Sequence, residues 1–401
     1  MRAVPRRRAV VLAVLPALLG PVAAARAQDR PALRAQLAGA MAGAPAASGA
    51  YAEDLDSGTP LFSSRATVAR VPASVQKLYT ASTALVRLGP DDRLATTVAG
   101  RGALLPDGTF QGDLVLRGGG DPTLSNAGLA TLARQVAGKG VLRVQGAILG
   151  DESFFDALRG GPRTGFRYDG DVGGVLGALT VGRGWSRSGS PAAEASRRFA
   201  AALKAERITV GGTPASGGAA PETDPLATVT SPTIAELARA TLVPSDNFIA
   251  ETLLKDVGAR TGAGGTTTAG AAVVREEAAD FGLAPRVADG SGLSRANRTS
   301  PMQVVGLLKA MRERPEGQAL QAALPVVGRS GTVRRRMRGT VAQGRCRAKT
   351  GTLSDVSALA GVCTTPAGRT VGFAMLMNRT SVWRAHRVQD RITVALARYS
   401  G

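Results

Sequence analysis

The first residues whose types and spacing could do chemistry are a serine and a lysine three positions apart, Ser74 and Lys77, in Ser74-Val75-Gln76-Lys77. On a helix they lie one turn apart on the same face, so the amine can reach the hydroxyl. A serine hydroxyl is a weak nucleophile until a base takes its proton, and a lysine can be that base when burial or nearby cations lower its pKa. Because this spacing often arises by chance, the pair alone could equally be a capping serine and a surface lysine.

Two later motifs supply the other groups that such a reaction needs. In Ser245-Asp246-Asn247, a loop would let Ser245 and Asn247 project in one direction, offering a hydroxyl for proton relay and an amide for a substrate carbonyl. In the strand-like Lys349-Thr350-Gly351-Thr352, the lysine and the glycine point to the same side, and the missing side chain would let a substrate lie against the strand edge. Together and in this order, the three motifs match the set found in penicillin-binding proteins and class A β-lactamases.

Hydrophobic spacing predicts the elements that position these motifs. A β-hairpin formed by Gly49–Asp54 and Pro60–Ser64 comes first. The helix that follows starts at Ser74 and ends before Gly89, and its apolar residues recur at three- and four-residue steps. A helical pattern returns from Ser231. The remaining predicted elements are strand-like runs at Gly344–Gly351, Val356–Cys363 and Thr370–Met377, and an amphipathic C-terminal helix.

The stretch between the first two motifs has a different pattern. It holds short strands (Asp113–Arg117 and Val141–Leu149), a helix from about Ala192 to Glu206, and the Gly- and Pro-rich stretch Gly211–Pro225, which is typical of a loop. The simplest account is one α/β domain, formed by residues 28–93 and 229–401, interrupted by an inserted domain at 94–228.

The chain resembles the DacB-type D-alanyl-D-alanine carboxypeptidase/endopeptidases, which are low-molecular-mass class C penicillin-binding proteins. Besides the Ser-x-x-Lys motif, the resemblance rests on Gly118–Leu124, Ser245–Asn247 with Ala250-Glu251, Asp289–Arg295 and Arg347–Leu353. It implies an α/β (α+β) fold: a β-lactamase/transpeptidase-like domain with an antiparallel sheet flanked by helices, interrupted by an inserted α/β domain.

The resemblance also implies roles for the motif residues. Ser74 would be acylated by the penultimate D-alanine of a peptidoglycan stem peptide, with Lys77 as general base and Ser245 passing a proton to the leaving amine. Asn247 and the segment Lys349, Thr350, Gly351 and Thr352 would bind substrate, and the backbone N–H groups of Ser74 and Thr352 would hold the oxyanion. No cofactor or metal is implied, and β-lactams would inhibit by forming slow acyl-enzymes.

The N-terminus predicts export. Basic residues precede an apolar run that ends in Ala25-Arg26-Ala27, so residues 1–27 are expected to be a cleaved signal peptide, and a periplasmic or extracytoplasmic location follows. A membrane anchor is the alternative, although the run is shorter than the ~20 residues that span a bilayer. Loss of the five arginines in residues 1–27 reduces the net charge of +20 to +15, which favours binding to an anionic polymer or surface. Nucleic acid fits poorly as that polymer, because export separates the protein from it. The C-terminal helix places Val388, Ile392 and Leu396 on one apolar stripe, which favours packing on its own sheet. A weak membrane-surface association is the alternative, and the oligomeric state is not readable.

Cys346 and Cys363 are the only cysteines. If the two strand-like runs around them form a hairpin that turns near Ser354-Asp355, the cysteines lie opposite each other and can pair in an oxidising compartment. Two buried free thiols are the alternative. Strand alternation places Cys346 on the face away from Lys349, which favours a structural role.

Other catalytic classes fit less well. A class A β-lactamase needs a Glu-x-x-Leu-Asn element after Ser-Asp-Asn, and none follows Asn247. The single histidine, His386, leaves no Ser-His-Asp triad. A non-catalytic wall-binding or regulatory protein of the same fold remains the rival hypothesis.

Overall fold

The computed structural model describes residues 30–184 and 190–401. The predicted signal peptide lies outside the described residues. The helices are α1 Arg30–Ala42, α2 Lys77–Leu88, α3 Asn126–Gly138, α4 Pro191–Ala205, α5 Ile234–Leu242, α6 Asn247–Thr261, α7 Thr267–Asp280, α8 Pro301–Arg312, α9 Gly317–Ala323 and α10 Val382–Leu396. The strands are β1 Ser48–Asp54, β2 Thr59–Ser64, β3 Arg93–Leu104, β4 Thr109–Gly118, β5 Arg143–Val144, β6 Ile148–Asp151, β7 Thr209–Val210, β8 Ala215–Ser216, β9 Ala227–Thr233, β10 Cys346–Leu353, β11 Val356–Thr364 and β12 Thr370–Asn378.

The first sheet joins the two ends of the chain. Its five antiparallel strands have the order β10-β11-β12-β1-β2, so the N-terminal hairpin completes a C-terminal meander. Along β12, Phe373 and Met375 enter the core beneath α1 and α10, whereas Ala374 and Leu376 enter the core formed with α2, α5 and α6. Because helices cover both faces, β11 and β12 are apolar almost throughout. The predicted antiparallel sheet flanked by helices is confirmed.

The second sheet lies between α2 and α5 in the chain. Its seven strands run from Arg93 to Thr233 with the path β7-β5-β4-β3-β9; in addition, β6 pairs with β4, and β8 pairs with β6. Its core packs against α3 and α4. The predicted insert bounds, 94 and 228, fall inside β3 and β9, and that division of the chain remains a prediction.

Two predicted elements have different bounds. The strand expected over Val141–Leu149 is interrupted, because Ala147 donates its N–H to the Asp113 carboxylate at 2.7 Å and an added Cβ at Gly146 would lie 2.2 Å from the same carboxylate. The helical pattern expected from Ser231 is also wrong at its start. Ser231 lies in β9, and α5 begins only after Thr233, whose side chain forms a capping box with Glu236.

The C-terminal helix packs on its own sheet. Val388, Ile392 and Leu396, the predicted apolar stripe of α10, are buried in the core shared with α1. Within 30–184 and 190–401, no helix has both the length and the apolar character needed to cross a bilayer.

Cys346 and Cys363 lie opposite each other on β10 and β11 and form a disulfide, as the hairpin register allows. The sulfurs face the core beneath α1 and α10, away from Lys349.

Replacing both cysteines with alanine is expected to lower the free energy of unfolding by about 3 kcal/mol, because the bond closes a loop with a sequence separation of 17 and restricts the unfolded chain. Urea unfolding of the variant and the oxidised protein measures the difference. Equal unfolding midpoints and slopes would contradict the prediction.

Candidate active site

The predicted nucleophile lies on a single 3₁₀ turn, Ala73–Gln76, that leads directly into α2. This tight turn brings the Lys77 Nζ within 3.0 Å of the Ser74 Oγ. Ala73, immediately before the serine, has a φ of +47°, a conformation that non-glycine residues rarely adopt and that is concentrated at functional sites.

Lys77 is held by three acceptors. Its Nζ donates to the Ser74 Oγ, to the Asn247 Oδ1 at 2.6 Å and to the Ser291 carbonyl at 2.6 Å. The side chain is fully buried, and this desolvation lowers the pKa of Lys77 to about 8, although nearby carboxylates oppose the shift. A substantial fraction of the amine is therefore neutral near pH 8 and able to accept a proton.

The second motif forms the start of α6. Asp246 caps the helix by accepting from the Ile249 N–H at 3.0 Å, so the ordinary capping interpretation is correct for this residue. Ser245, just before the cap, has a φ of +66°. This geometry lets Asn247 reach Lys77 while Ser245 reaches the other lysine.

The third motif lies on β10, the edge strand of the first sheet. The Lys349 Nζ donates to the Ser245 Oγ at 2.7 Å and to the Thr350 carbonyl at 2.8 Å. Lys349 is fully buried, and burial, followed by the charge of Lys77, holds the pKa of Lys349 well below its usual value. Thr350 shares a hydroxyl hydrogen bond of 2.7 Å with Thr332, and Thr352 is exposed.

Gly351 has close backbone neighbours that the sequence did not predict. An added Cβ would lie 2.5 Å from the Pro72 carbonyl oxygen and 3.0 Å from the Ser74 nitrogen. The missing side chain therefore lets the strand pack against the turn that carries Ser74, and contact of this strand edge with a substrate remains a prediction.

Sequence reasoning assigned no site role to a buried layer beneath Lys77. Glu251 lies one helical turn after Asn247 and accepts from the Ser291 N–H at 2.8 Å and from the Gly290 N–H at 3.2 Å. Asp289 accepts from the Gly292 N–H at 2.8 Å. The two carboxylates thus hold the turn whose Ser291 carbonyl binds Lys77. The signal was present in the family motifs Ala250-Glu251 and Asp289–Arg295.

The segment between β6 and α4 also borders the site. The Asn247 amide donates to the Asp171 carbonyl at 2.7 Å, and Arg183 forms an ion pair with Asp246 and lies 5.4 Å from the centre of the Phe248 ring. This segment therefore holds the second motif from the side opposite α2. No sequence pattern singled out either residue.

The structure thus brings the first, second and third motifs together through direct side-chain hydrogen bonds. In the part of the chain that is described, no group of three or more His, Cys, Asp or Glu residues is arranged to hold a metal ion.

Comparison with known proteins gives consistent results. The model of the D-Ala-D-Ala carboxypeptidase 3 (S13) family matches residues 33–165 and 172–399. A D-alanyl-D-alanine carboxypeptidase of Actinomadura sp. strain R39 is 33% identical, over 89% of this chain and 82% of its own length. The carboxypeptidase DacB of Mycolicibacterium smegmatis is 31% identical, over 81% and 75% of the two chains.

Among solved structures, penicillin binding protein 4 (dacB) of Haemophilus influenzae superimposes with a TM-score of 0.79 at 19% identity, covering 90% of this chain and 99% of its own. The same protein complexed with a β-lactam superimposes with a TM-score of 0.77 at 18% identity and equal coverage. At this identity the likeness supports the fold.

Proposed function

Because this chain belongs to the D-Ala-D-Ala carboxypeptidase 3 (S13) family, we propose that Ser74 is the nucleophile with which it cleaves peptidoglycan stem peptides. Membership makes the protein a serine-type D-Ala-D-Ala carboxypeptidase, a hydrolase that acts outside the cytoplasm. The observation that carries the residue assignment is the chain of hydrogen bonds that links Ser74 to Lys77 and Asn247 and links Ser245 to Lys349.

Acylation starts with a neutral Lys77. Its amine takes the proton of Ser74 as the Oγ attacks the carbonyl carbon of the penultimate D-alanine. The tetrahedral intermediate collapses with cleavage of the C–N bond, and Ser245 relays to the departing amine of the terminal D-alanine the proton that Lys77 took from Ser74, which leaves Lys77 neutral again. Water, deprotonated by Lys77, then attacks the ester and releases the shortened peptide and the Ser74 hydroxyl.

The remaining motif residues position the substrate. Lys349 attracts the terminal carboxylate, and Asn247 holds the peptide amide, while Thr350 and Gly351 fix the strand edge beside the serine. The N–H groups of Ser74 and Thr352 stabilise the oxyanion, a contribution of about 2.7–4 kcal/mol per donor.

Penicillins present a carbonyl and a carboxylate in the same relation as the dipeptide, so they acylate Ser74 and leave slowly. An extended cross-linked peptide offers the same D-alanyl bond, and we include endopeptidase activity in the proposal. Export through a signal peptide at residues 1–27 also belongs to it.

Labelling with a fluorescent penicillin tests the proposal. The wild-type protein should form a covalent adduct and release D-alanine from a defined muropeptide, whereas Ser74→Ala should do neither. Ser82→Ala is the matched control, because Ser82 is buried on α2 and its hydroxyl has no partner among the described residues. Monomers released from a cross-linked muropeptide dimer would support endopeptidase activity.

The rival is a wall-binding protein without catalysis. It predicts that Ser74→Ala and the wild-type protein bind peptidoglycan equally and that neither forms an adduct. The lowered pKa of Lys77 favours the enzyme, because a binding protein has no need of a buried base beside a serine.

Glu251→Gln is expected to shift the pH dependence of acylation. Burial, together with the charge of Asp289, raises the pKa of Glu251 to about 7, so near pH 8 its carboxylate is charged and favours protonated Lys77. Asp289 and Asp246 act on Lys77 in the same direction and remain in the variant. Removing the Glu251 charge lowers the pKa of Lys77, so the limb of the acylation rate that rises with pH should move down by about 1 pH unit.

Stopped-flow acylation would measure that limb across about pH 6–10, roughly two pH units on either side of the Lys77 pKa. Glu277→Gln is the control, because Glu277 is equally buried but bonds Arg87 at 2.5 Å, outside the hydrogen-bond network of the three motifs. An unchanged limb in Glu251→Gln would contradict an electrostatic role for this residue.

A further inference from the structure

One segment of the chain carries positive charge that it does not balance. Residues 317–354 include seven arginines and Lys349 but no aspartate or glutamate. The arginines are Arg329, Arg334, Arg335, Arg336, Arg338, Arg345 and Arg347. Of these, Arg336 has a structural role because it pairs with Asp390 on α10 at 2.6 Å.

Four of the others form what we call the arginine rim: Arg329, Arg334, Arg335 and Arg338. All four are exposed, and among residues 30–184 and 190–401 none of them has a carboxylate partner within ion-pair distance. Some arginines of the inserted segment differ, since Arg163 pairs with Asp169 and Arg198 pairs with Glu194. The rim therefore presents uncompensated charge to solvent.

The rim adjoins the active site. Its segment makes a 3₁₀ turn at Gly331–Val333 that lies between two catalytic motifs. On one side the Thr332 hydroxyl bonds Thr350 at 2.7 Å, and on the other an added Cβ at Gly331 would lie 2.4 Å from the carbonyl oxygen of Val243, two residues before Ser245. Arg334 and Arg335 directly follow this turn, so the rim lies beside the cleft.

The chemistry of the rim favours a hydrophilic polyanion over a lipid. Adsorption to a bilayer needs apolar side chains that insert among the acyl chains, and segment 317–354 has no large hydrophobic side chain among the exposed ones that the structure describes. Guanidinium groups bind carboxylates and phosphates by paired hydrogen bonds.

We propose that the arginine rim is a docking surface for the anionic glycan polymer of the cell wall and delivers stem peptides to the neighbouring cleft. Only the identification of the polymer rests on the proposed function. The occupant is the peptidoglycan itself, whose stem-peptide carboxylates the rim binds; phosphodiester polymers attached to the wall are the alternative that the test separates.

The test compares Arg334→Gln/Arg335→Gln/Arg338→Gln with a matched control that removes three exposed charges elsewhere, Arg134→Gln/Lys139→Gln/Arg143→Gln. Both are made in the Ser74→Ala background and sedimented with insoluble peptidoglycan at increasing salt. The rim variant should bind about tenfold more weakly at low salt, and the control should bind as the parent does. The difference between the two variants should persist on peptidoglycan freed of phosphodiester polymers, and its disappearance there would overturn the choice of peptidoglycan as the occupant.

In the active protein, the rim variant should hydrolyse a soluble muropeptide and react with penicillin at wild-type rates, while hydrolysis of insoluble wall slows. Equal wall binding by the two triple variants would overturn the proposal. So would a rim variant that binds peptidoglycan normally and loses binding only to anionic phospholipid vesicles. Failure of the proposed function would give a different result: the wild-type protein would form no penicillin adduct, whether or not the rim binds the wall.

Discussion

Lys77→Met should reduce the rate of penicillin acylation by about 10²–10⁴-fold, the usual contribution of a general base. Methionine keeps the length and apolar stem of the lysine but cannot accept the Ser74 proton. It also leaves the Asn247 amide oxygen and the Ser291 carbonyl without their donor. The measurement is the second-order rate of adduct formation with a fluorescent penicillin at pH 8.

Loss of fold must be distinguished from loss of the base. Burying a charged amine is unfavourable, so the variant need not be less stable, and its thermal unfolding and its binding to peptidoglycan should resemble those of Ser74→Ala. Lys77→Arg is a second test, since a guanidinium stays protonated and should be equally inactive. Acylation by either variant at more than a tenth of the wild-type rate would contradict the assignment of Lys77 as base.

The sequence alone was sufficient to predict which three motifs meet. A serine with a lysine one turn later, a polar triplet before a helix and a lysine in a strand gain specificity as a set. The structure places Lys77 against Asn247 and Lys349 against Ser245, across sequence separations of 170 and 104 residues.

The layer that supports the site was not predicted in the same way. Glu251 and Asp289 support the site by accepting hydrogen bonds from backbone N–H groups, and tertiary packing decides which N–H groups these are. The contact of Asp171 with Asn247 depends on how the inserted segment folds back on α6. Local periodicity carries no information about either contact.

Gly351 was predicted to let a substrate approach, and the structure supplies another reason for its missing side chain. A glycine in a strand indicates a close approach of some kind, and the sequence does not say whether a substrate or the protein's own backbone approaches. In the structure the neighbour is the turn at Pro72 and Ser74. The glycine thus sets the distance between the edge strand and the nucleophile.

This geometry makes Gly351→Ala the second large-effect prediction. One methyl group would contact backbone atoms at 2.5 and 3.0 Å, and a backbone cannot move aside as a flexible side chain can. Relief requires β10 and the Ser74 turn to separate, which moves apart the N–H groups of Ser74 and Thr352, the proposed oxyanion donors. Misplacement of about 1 Å can cost ~10²-fold in rate, so both acylation and D-alanine release should fall by at least about that factor.

Gly39→Ala is the matched control, since Gly39 lies on α1 and an added Cβ there meets nothing within 4 Å. That variant should keep full activity and gain slightly in stability, because alanine is the better helix former. For Gly351→Ala, the dependence on substrate separates two explanations. A displaced oxyanion site lowers kcat for the muropeptide and the acylation rate with penicillin together, whereas a blocked binding edge would raise KM with kcat preserved. A variant with a changed KM alone would restore the substrate-facing role for this glycine, and one with wild-type kinetics would show that the strand and the turn can separate without harm to the nucleophile.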